Sequence, residues 1–254
     1  MKCNPTVKDI YDFIDTIAPF AAQCEWDNSG MIVGESNKSV KKIAVVLDIT
    51  PEAVNAAAEM NADLIISHHP VIFRAVKSFT DKDPAFLLAK NGIAAICAHT
   101  SLDIAKGGVN DALAAVLGFE DAIPLTDSSE ASMVRVAEIN ETSADSLAKL
   151  CAEKLSTGVR IADSGKAIRK VALCGGAGAD FIGEVFAAGC DAYITGDVSH
   201  HEFLEAKALG LTLIAAGHFE TENPVVAVIA EKLKENFDTE IEVINQTSPV
   251  TYHI

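Results

Sequence analysis

The sequence predicts an α/β protein of two related lobes, each a mixed β-sheet flanked by helices, and three observations carry that reading. Short β-branched apolar runs alternate with amphipathic segments of helical period, the pattern of βα units around a buried sheet. The second half then repeats the first. KIAVVLD begins at Lys42 and KVALCGG at Lys170, DLIISHH at Asp63 and DAYITGD at Asp191, and both offsets are 128 residues. After each come a helix, a glycine (Gly92, Gly210) and an apolar strand that ends near a histidine (His99, His218). Two units of one plan imply an internal pseudo-twofold repeat; chance matching of apolar α/β units is the competing explanation.

Taken in order, Thr6 opens a helix with Ile10, Phe13, Ile14 and Ile17 on one face. Trp26-Asp27-Asn28-Ser29-Gly30 is a turn signal before a short strand at 31–33. KIAVVL at 42–47 reads as a strand, and Thr50-Pro51 as cap and first residue of a helix running to about Asn61. A second strand covers 64–67. Asp83-Pro84 repeats the cap-plus-proline signal, a third strand covers 93–98, and 108–117 looks helical. The polar stretch 125–131 is the best internal boundary. It separates lobe 1 (1–125) from lobe 2 (126–254), with the segment 238–254 a candidate to pack back on lobe 1. Lobe 2 holds a strand at 133–139 and helices at 143–155, 198–209 and from Asn223-Pro224 to about Phe237. A last strand covers 240–243.

Composition narrows the function. Of 254 residues, 49% are hydrophobic and 22% charged, so a sizeable core is expected and disorder is not. The net charge of −16, with no Lys/Arg run, argues against nucleic acid as a partner. The six cysteines are scattered without a C-x-x-C pair, and most sit in apolar runs as reduced structural thiols. The N-terminus has no secretory h-region, and no apolar stretch reaches the roughly 18 residues of a membrane span. A soluble, cytoplasmic protein without a membrane partner is the default expectation.

Four of the seven histidines fall in three places, each after a predicted strand, where ligands collect in open α/β sheets. These are Ser67-His68-His69-Pro70, His99 with Asp103 four residues on, and His218 with Glu222 four residues on. Adjacent imidazoles on an extended segment point in opposite directions, so His68 and His69 address two metals or two sides of one site. Imidazole with carboxylate suits Zn, Fe, Mn, Co or Ni. Five ligands (His68, His69, Asp103, His218 and Glu222) exceed what one catalytic ion takes, and they fit two divalent ions about 3.5–4 Å apart. His99 is a ligand, an orienter of ligands or a general acid/base, with the orienting role favoured.

Other motifs carry less. Trp26, Asp27 and Asn28 form either a plain turn or the substrate mouth, with Asp27 or Asn28 as a polar contact. Asp197, equivalent to His69 under the 128-residue offset, is read as structural or supporting. Gly175-Gly176-Ala177-Gly178 lacks the lysine of a P-loop and reads as a tight βα turn rather than an anion cradle. His200 and His201 diverge by about 100° on a helix and read as a helix face or a subunit contact.

Glu25-Trp26-Asp27-Asn28-Ser29-Gly30, Ser67-His68-His69-Pro70, Ala98-His99-Thr100, Gly107-Gly108-Val109-Asn110-Asp111, Thr195-Gly196-Asp197 and Gly217-His218 together resemble the Nif-three-like family. Its members are also labelled GTP cyclohydrolase 1 type 2 homologues. The resemblance runs from about Val7 to the C-terminus and is to the short form, because 125–158 is too brief for the domain inserted in longer members. It implies a two-lobed fold, a dinuclear site and a hexameric ring, and the 128-residue repeat suggests that such a site lies in the cleft between the lobes. Its ligands would be His68, His69, Asp103, His218 and Glu222, with Glu222 bridging. Ser29 replaces a usual aliphatic residue and Ser101 a usual Asn.

The functional expectation is a metal-dependent hydrolase of GTP cyclohydrolase 1 type 2 kind, with metal-activated water attacking a nucleotide ring or phosphoester of a small-molecule substrate. The alternative is a non-enzymatic metal-binding scaffold or regulatory interaction protein. An open coordination position would favour the first and a closed shell the second.

Overall fold

Thr6 sets the start of α1 (Val7–Ile17). Its hydroxyl accepts the Asp9 amide while the Asp9 carboxylate accepts the Thr6 amide, and Val7, Ile10 and Ile14 turn inward. Phe13 packs edge-on against Phe237. The computed structural model describes residues 4–125 and 132–251, so the predicted boundary lies outside the described residues except for Leu125. The chain divides into two units, Met1–Lys106 with Val226–Thr247 and Gly107–Val225 with Ser248–Ile254.

In chain order, the first unit continues with β1 (Gly30–Val33), β2 (Lys42–Val46), α2 (Pro51–Glu59), β3 (Leu64–Ser67), α3 (Pro84–Asn91), β4 (Ala94–Cys97) and α4 (Thr100–Ile104). The second contains α5 (Val109–Leu117), β5 (Ile123–Pro124), β6 (Arg135–Thr142), α6 (Ala144–Leu155), β7 (Arg160–Ala162) and β8 (Ile168–Cys174). It goes on through α7 (Ile182–Ala187), β9 (Ala192–Thr195), α8 (His200–Leu209), β10 (Thr212–Ala215) and α9 (His218–Glu222). The unit division falls just inside α10 (Pro224–Asn236), and β11 (Glu240–Val243) closes the set.

The first sheet has the order β1-β4-β3-β2-β11, parallel except for β1, and the second the order β5-β6-β8-β9-β10-β7 with β8, β9 and β10 parallel. Both are mixed α/β sheets. Every residue of β3, β4, β9 and β10 is buried, as expected where both faces of a parallel strand are covered. The repeat holds at the level of single pairs. Ile43 pairs with Leu64 and Val46 with Ser67; Val171 pairs with Ala192 and Cys174 with Thr195. The carboxylate of Asp63 accepts the Lys41 amide and that of Asp191 the Arg169 amide, both at 2.8 Å.

Some elements depart from the sequence expectation. Segments 100–104 and 218–222, read from the sequence only as following predicted strands, form the single-turn helices α4 and α9. The edge strands β5 and β7 carry no clear period and were not expected. Helix α5 precedes the polar stretch, yet Leu113 and Leu117 enter one core with Leu147, Cys151, Ile168 and Val171. Cys97, Cys151, Cys174 and Cys190 are buried free thiols and Cys24 is half-buried. Among the described residues no helix is long and apolar enough to cross a membrane.

Candidate metal-binding groups

In the first unit β3 ends at Ser67 and delivers His68 and His69 directly. The Ser67 hydroxyl donates to the His69 carbonyl at 2.8 Å and bends the chain away from the strand. The alternation expected of an extended segment is therefore lost, and the two rings lie 4.8 Å apart between centroids at a tilt of 43°. His68 is fully buried, with Nδ1 2.9 Å from the Ala98 carbonyl oxygen. A carbonyl only accepts, so Nδ1 carries a proton, which in the neutral ring leaves the lone pair on Nε2. That Nε2 lies 3.7 Å from Asp103 Oδ1 on α4. His69 Nδ1 is 2.7 Å from Asp48 Oδ1, and His99 Nδ1 is 2.8 Å from Asp27 Oδ1. One ring nitrogen from each of His68, His69 and His99 falls within 4.8 Å of the others.

Asp27 does not line a mouth. Its side chain is fully buried, and it accepts from His99, the Asn28 amide, the Ser29 hydroxyl and both the amide and hydroxyl of Thr100. Burial alone would raise its pKa. The hydrogen bonds from His99 and Thr100 and the adjacent imidazole outweigh burial and hold the carboxyl well below the usual range. Asp27 positions His99. Ser29 accepts the His99 amide at 3.0 Å and joins this network. Asn28 is likewise committed, its side-chain amide donating to the Ile72 carbonyl at 2.6 Å. Of the three proposed substrate contacts, Trp26 is open at 60% exposure, and Asn28 is exposed with its side-chain amide engaged.

In the second unit the i,i+4 spacing of His218 and Glu222 becomes one turn of α9, with His218 Nε2 3.1 Å from Glu222 Oε2. His218 Nδ1 lies 2.7 Å from Asp197 Oδ2. Glu222 is nearly buried and rests on the glycine turn after β8. Gly176 has φ +61°, and a Cβ there would collide with the Glu222 carboxylate and stand 3.3 Å from His218 Nε2. The turn's three glycine amides are used within the unit. Gly175 donates to Asn110 Oδ1, Gly176 to Thr221 Oγ1 and Gly178 to Thr195 Oγ1. The turn therefore supports Glu222 and does not cradle an anion. Asp111, beside Asn110, accepts the Gly107 amide and holds the buried guanidinium of Arg135. His200 and His201 are exposed at the start of α8, and neither joins these groups.

Sequence reasoning missed Asp48. Its signal was the last letter of KIAVVLD, an acid at the end of a strand just as Asp197 is. Gln246 was missed too; it accepts the Leu47 and Asp48 amides and donates to the Asp48 carbonyl, fixing the backbone that carries the carboxylate.

Imidazoles oriented from behind by oxygen acceptors, with carboxylates one helical turn away, define an α/β protein whose histidine and acid groups can hold metal. The chain belongs to the Duf34/NIF3 (NGG1p interacting factor 3) family, whose profile matches residues 5–249. A Clostridium perfringens relative named GTP cyclohydrolase 1 type 2 homolog is 38% identical, covering 96% of this chain and 95% of its own. Two solved structures share the fold. A Staphylococcus aureus protein, SA1388, matches at TM-score 0.89 with 26% identity, covering 98% of this chain and all of its own. Reduced HcgD from Methanocaldococcus jannaschii matches at TM-score 0.84 with 31% identity, covering 96% and 99%.

Proposed function

We propose that His68, His69, Asp103, His218 and Glu222 hold two divalent transition-metal ions, with Glu222 as the bridging ligand, and that the protein is a hydrolase of a nucleotide ring or phosphoester. The observation that carries this is the orientation of each imidazole by an oxygen acceptor at Nδ1. The Nδ1 atoms of His68, His69 and His218 each face an oxygen acceptor, which in the neutral ring puts the lone pair on Nε2, and Nε2 lies 3.7 Å from Asp103 Oδ1 in His68 and 3.1 Å from Glu222 Oε2 in His218. Neutral imidazole and carboxylate together match Zn, Fe, Mn, Co or Ni. Two such ions supply Lewis acidity toward a substrate oxygen and water that is activated near neutral pH. His99, braced by Asp27, is suited to take or give a proton at Nε2.

The name of the Clostridium perfringens relative agrees with a purine nucleotide as substrate, and fold alone does not choose among hydrolyses. The test is a screen of zinc- and manganese-reconstituted protein against nucleotides and phosphoesters, with Glu222→Gln as control. Turnover in one class that Glu222→Gln abolishes supports the hydrolase. No turnover in any class, with metal bound, contradicts it.

A further inference from the structure

Residues 68–83 separate β3 from α3 in the first unit, where residues 196–199 suffice between β9 and α8 in the second. The first copy of the repeat therefore carries an inserted segment. Its rings do not enter the core: Phe73 is 43% exposed and Phe79 51%. The segment is nevertheless fixed, because the Asn28 hydrogen bond to Ile72 holds Phe73 against the turn bearing Trp26. The Trp26 and Phe73 centroids are 5.8 Å apart at a tilt of 60°. Each ring also stands nearly edge-on to His99, 6.0 Å away. Two open aromatic rings thus adjoin the histidines that can hold metal. Arg74 and Lys77 are exposed on the same segment, in a chain where 36 acids outnumber 20 bases.

We infer that Trp26 and Phe73 form a stacking platform for a planar heteroaromatic ring of the substrate, with Arg74 and Lys77 attracting its anionic substituents. Every base presents a π-face to such a platform, and the neighbouring cations favour a ring that carries phosphate. This rests on the metal-centre reading and specifies its substrate as a base-bearing phosphate rather than a simple phosphoester.

Trp26 is the only tryptophan, so its emission reports on the platform. Zinc-loaded full-length protein is titrated with GTP, guanosine and tripolyphosphate. Saturable quenching by GTP and guanosine, absent with tripolyphosphate, is the expected result. Phe73→Leu, which keeps bulk but removes the π-face, should weaken both base-bearing ligands at least about fivefold, and Phe73→Tyr should restore them. Zinc content should be unchanged in both variants. Equal quenching by tripolyphosphate, no saturable quenching by guanosine, or guanosine binding by Phe73→Leu within about twofold of wild type would overturn the platform. A change of oligomer mass in Phe73→Leu would do so as well, assigning the rings to a second copy of the chain. Failure of the metal-centre reading would show separately, as absent zinc with guanosine quenching intact.

Discussion

Asp48 Oδ1 sits 2.7 Å from His69 Nδ1, and it comes from the strand next to the one that delivers the histidine. The second unit repeats this, since Asp197 follows β9 and reaches His218 after the adjacent β10 at the same 2.7 Å. Such partners fix the ring and raise its basicity, and removing one typically costs about 10–100-fold in metal affinity. Asp48→Asn and Asp197→Asn are each expected to weaken zinc binding by about that factor while leaving circular dichroism unchanged. Competition titration against a chromophoric chelator measures it. Wild-type affinity in both variants would remove the orienting role.

Gly176→Ala tests how Glu222 is held. The added methyl meets the Glu222 carboxylate, and alanine is strained at φ +61°. The expected outcome is a loss of about 1 kcal/mol or more in stability from the backbone alone, together with reduced metal content. Thermal melts and elemental analysis read the two effects separately. Full metal content would mean that the carboxylate has room to move aside.

The Asp27 network sets a pH dependence. Its folded pKa is lowered, so its stabilising contribution is present above the unfolded value of about 3.9 and is lost as pH falls below it. Asp27→Asn should therefore be less stable than wild type at pH 7, by about 1–3 kcal/mol for hydrogen bonds to a charged group. The gap in melting temperature should narrow as pH drops below about 4. A gap independent of pH would contradict the assignment.

Burial pushes the thiols of Cys97 and Cys151 up to about 12. Alkylation of native protein at pH 8, read by peptide mass spectrometry, should modify half-buried Cys24 and spare Cys97 and Cys151 until the chain unfolds. Rapid native labelling of Cys97 would show that β4 is more open than described.

Much of this was legible in the sequence, for identifiable reasons. The strands 42–46 and 64–67 are buried on both faces, so their residues are continuously apolar and the repeat in their pairing could be read as a repeat in letters. The acids four residues after His99 and His218 were visible as spacing. That the spacing meant a helical turn was not, because five residues are too few to show a period. Asp27 looked like a turn residue with an open side chain. Its burial depends on Thr100, 73 positions away, and no local pattern reports such a partner. Asp48 was hidden for the same reason, since a lone acid at a strand end resembles an ordinary cap.

The central claim is the pair of ions, and the most direct measurement is metal stoichiometry by elemental analysis, on protein as purified and after reconstitution with zinc. The account predicts about two equivalents per chain, with at least one lost in Glu222→Gln while the fold is retained. Less than about half an equivalent after reconstitution, or unchanged content in Glu222→Gln, would contradict it.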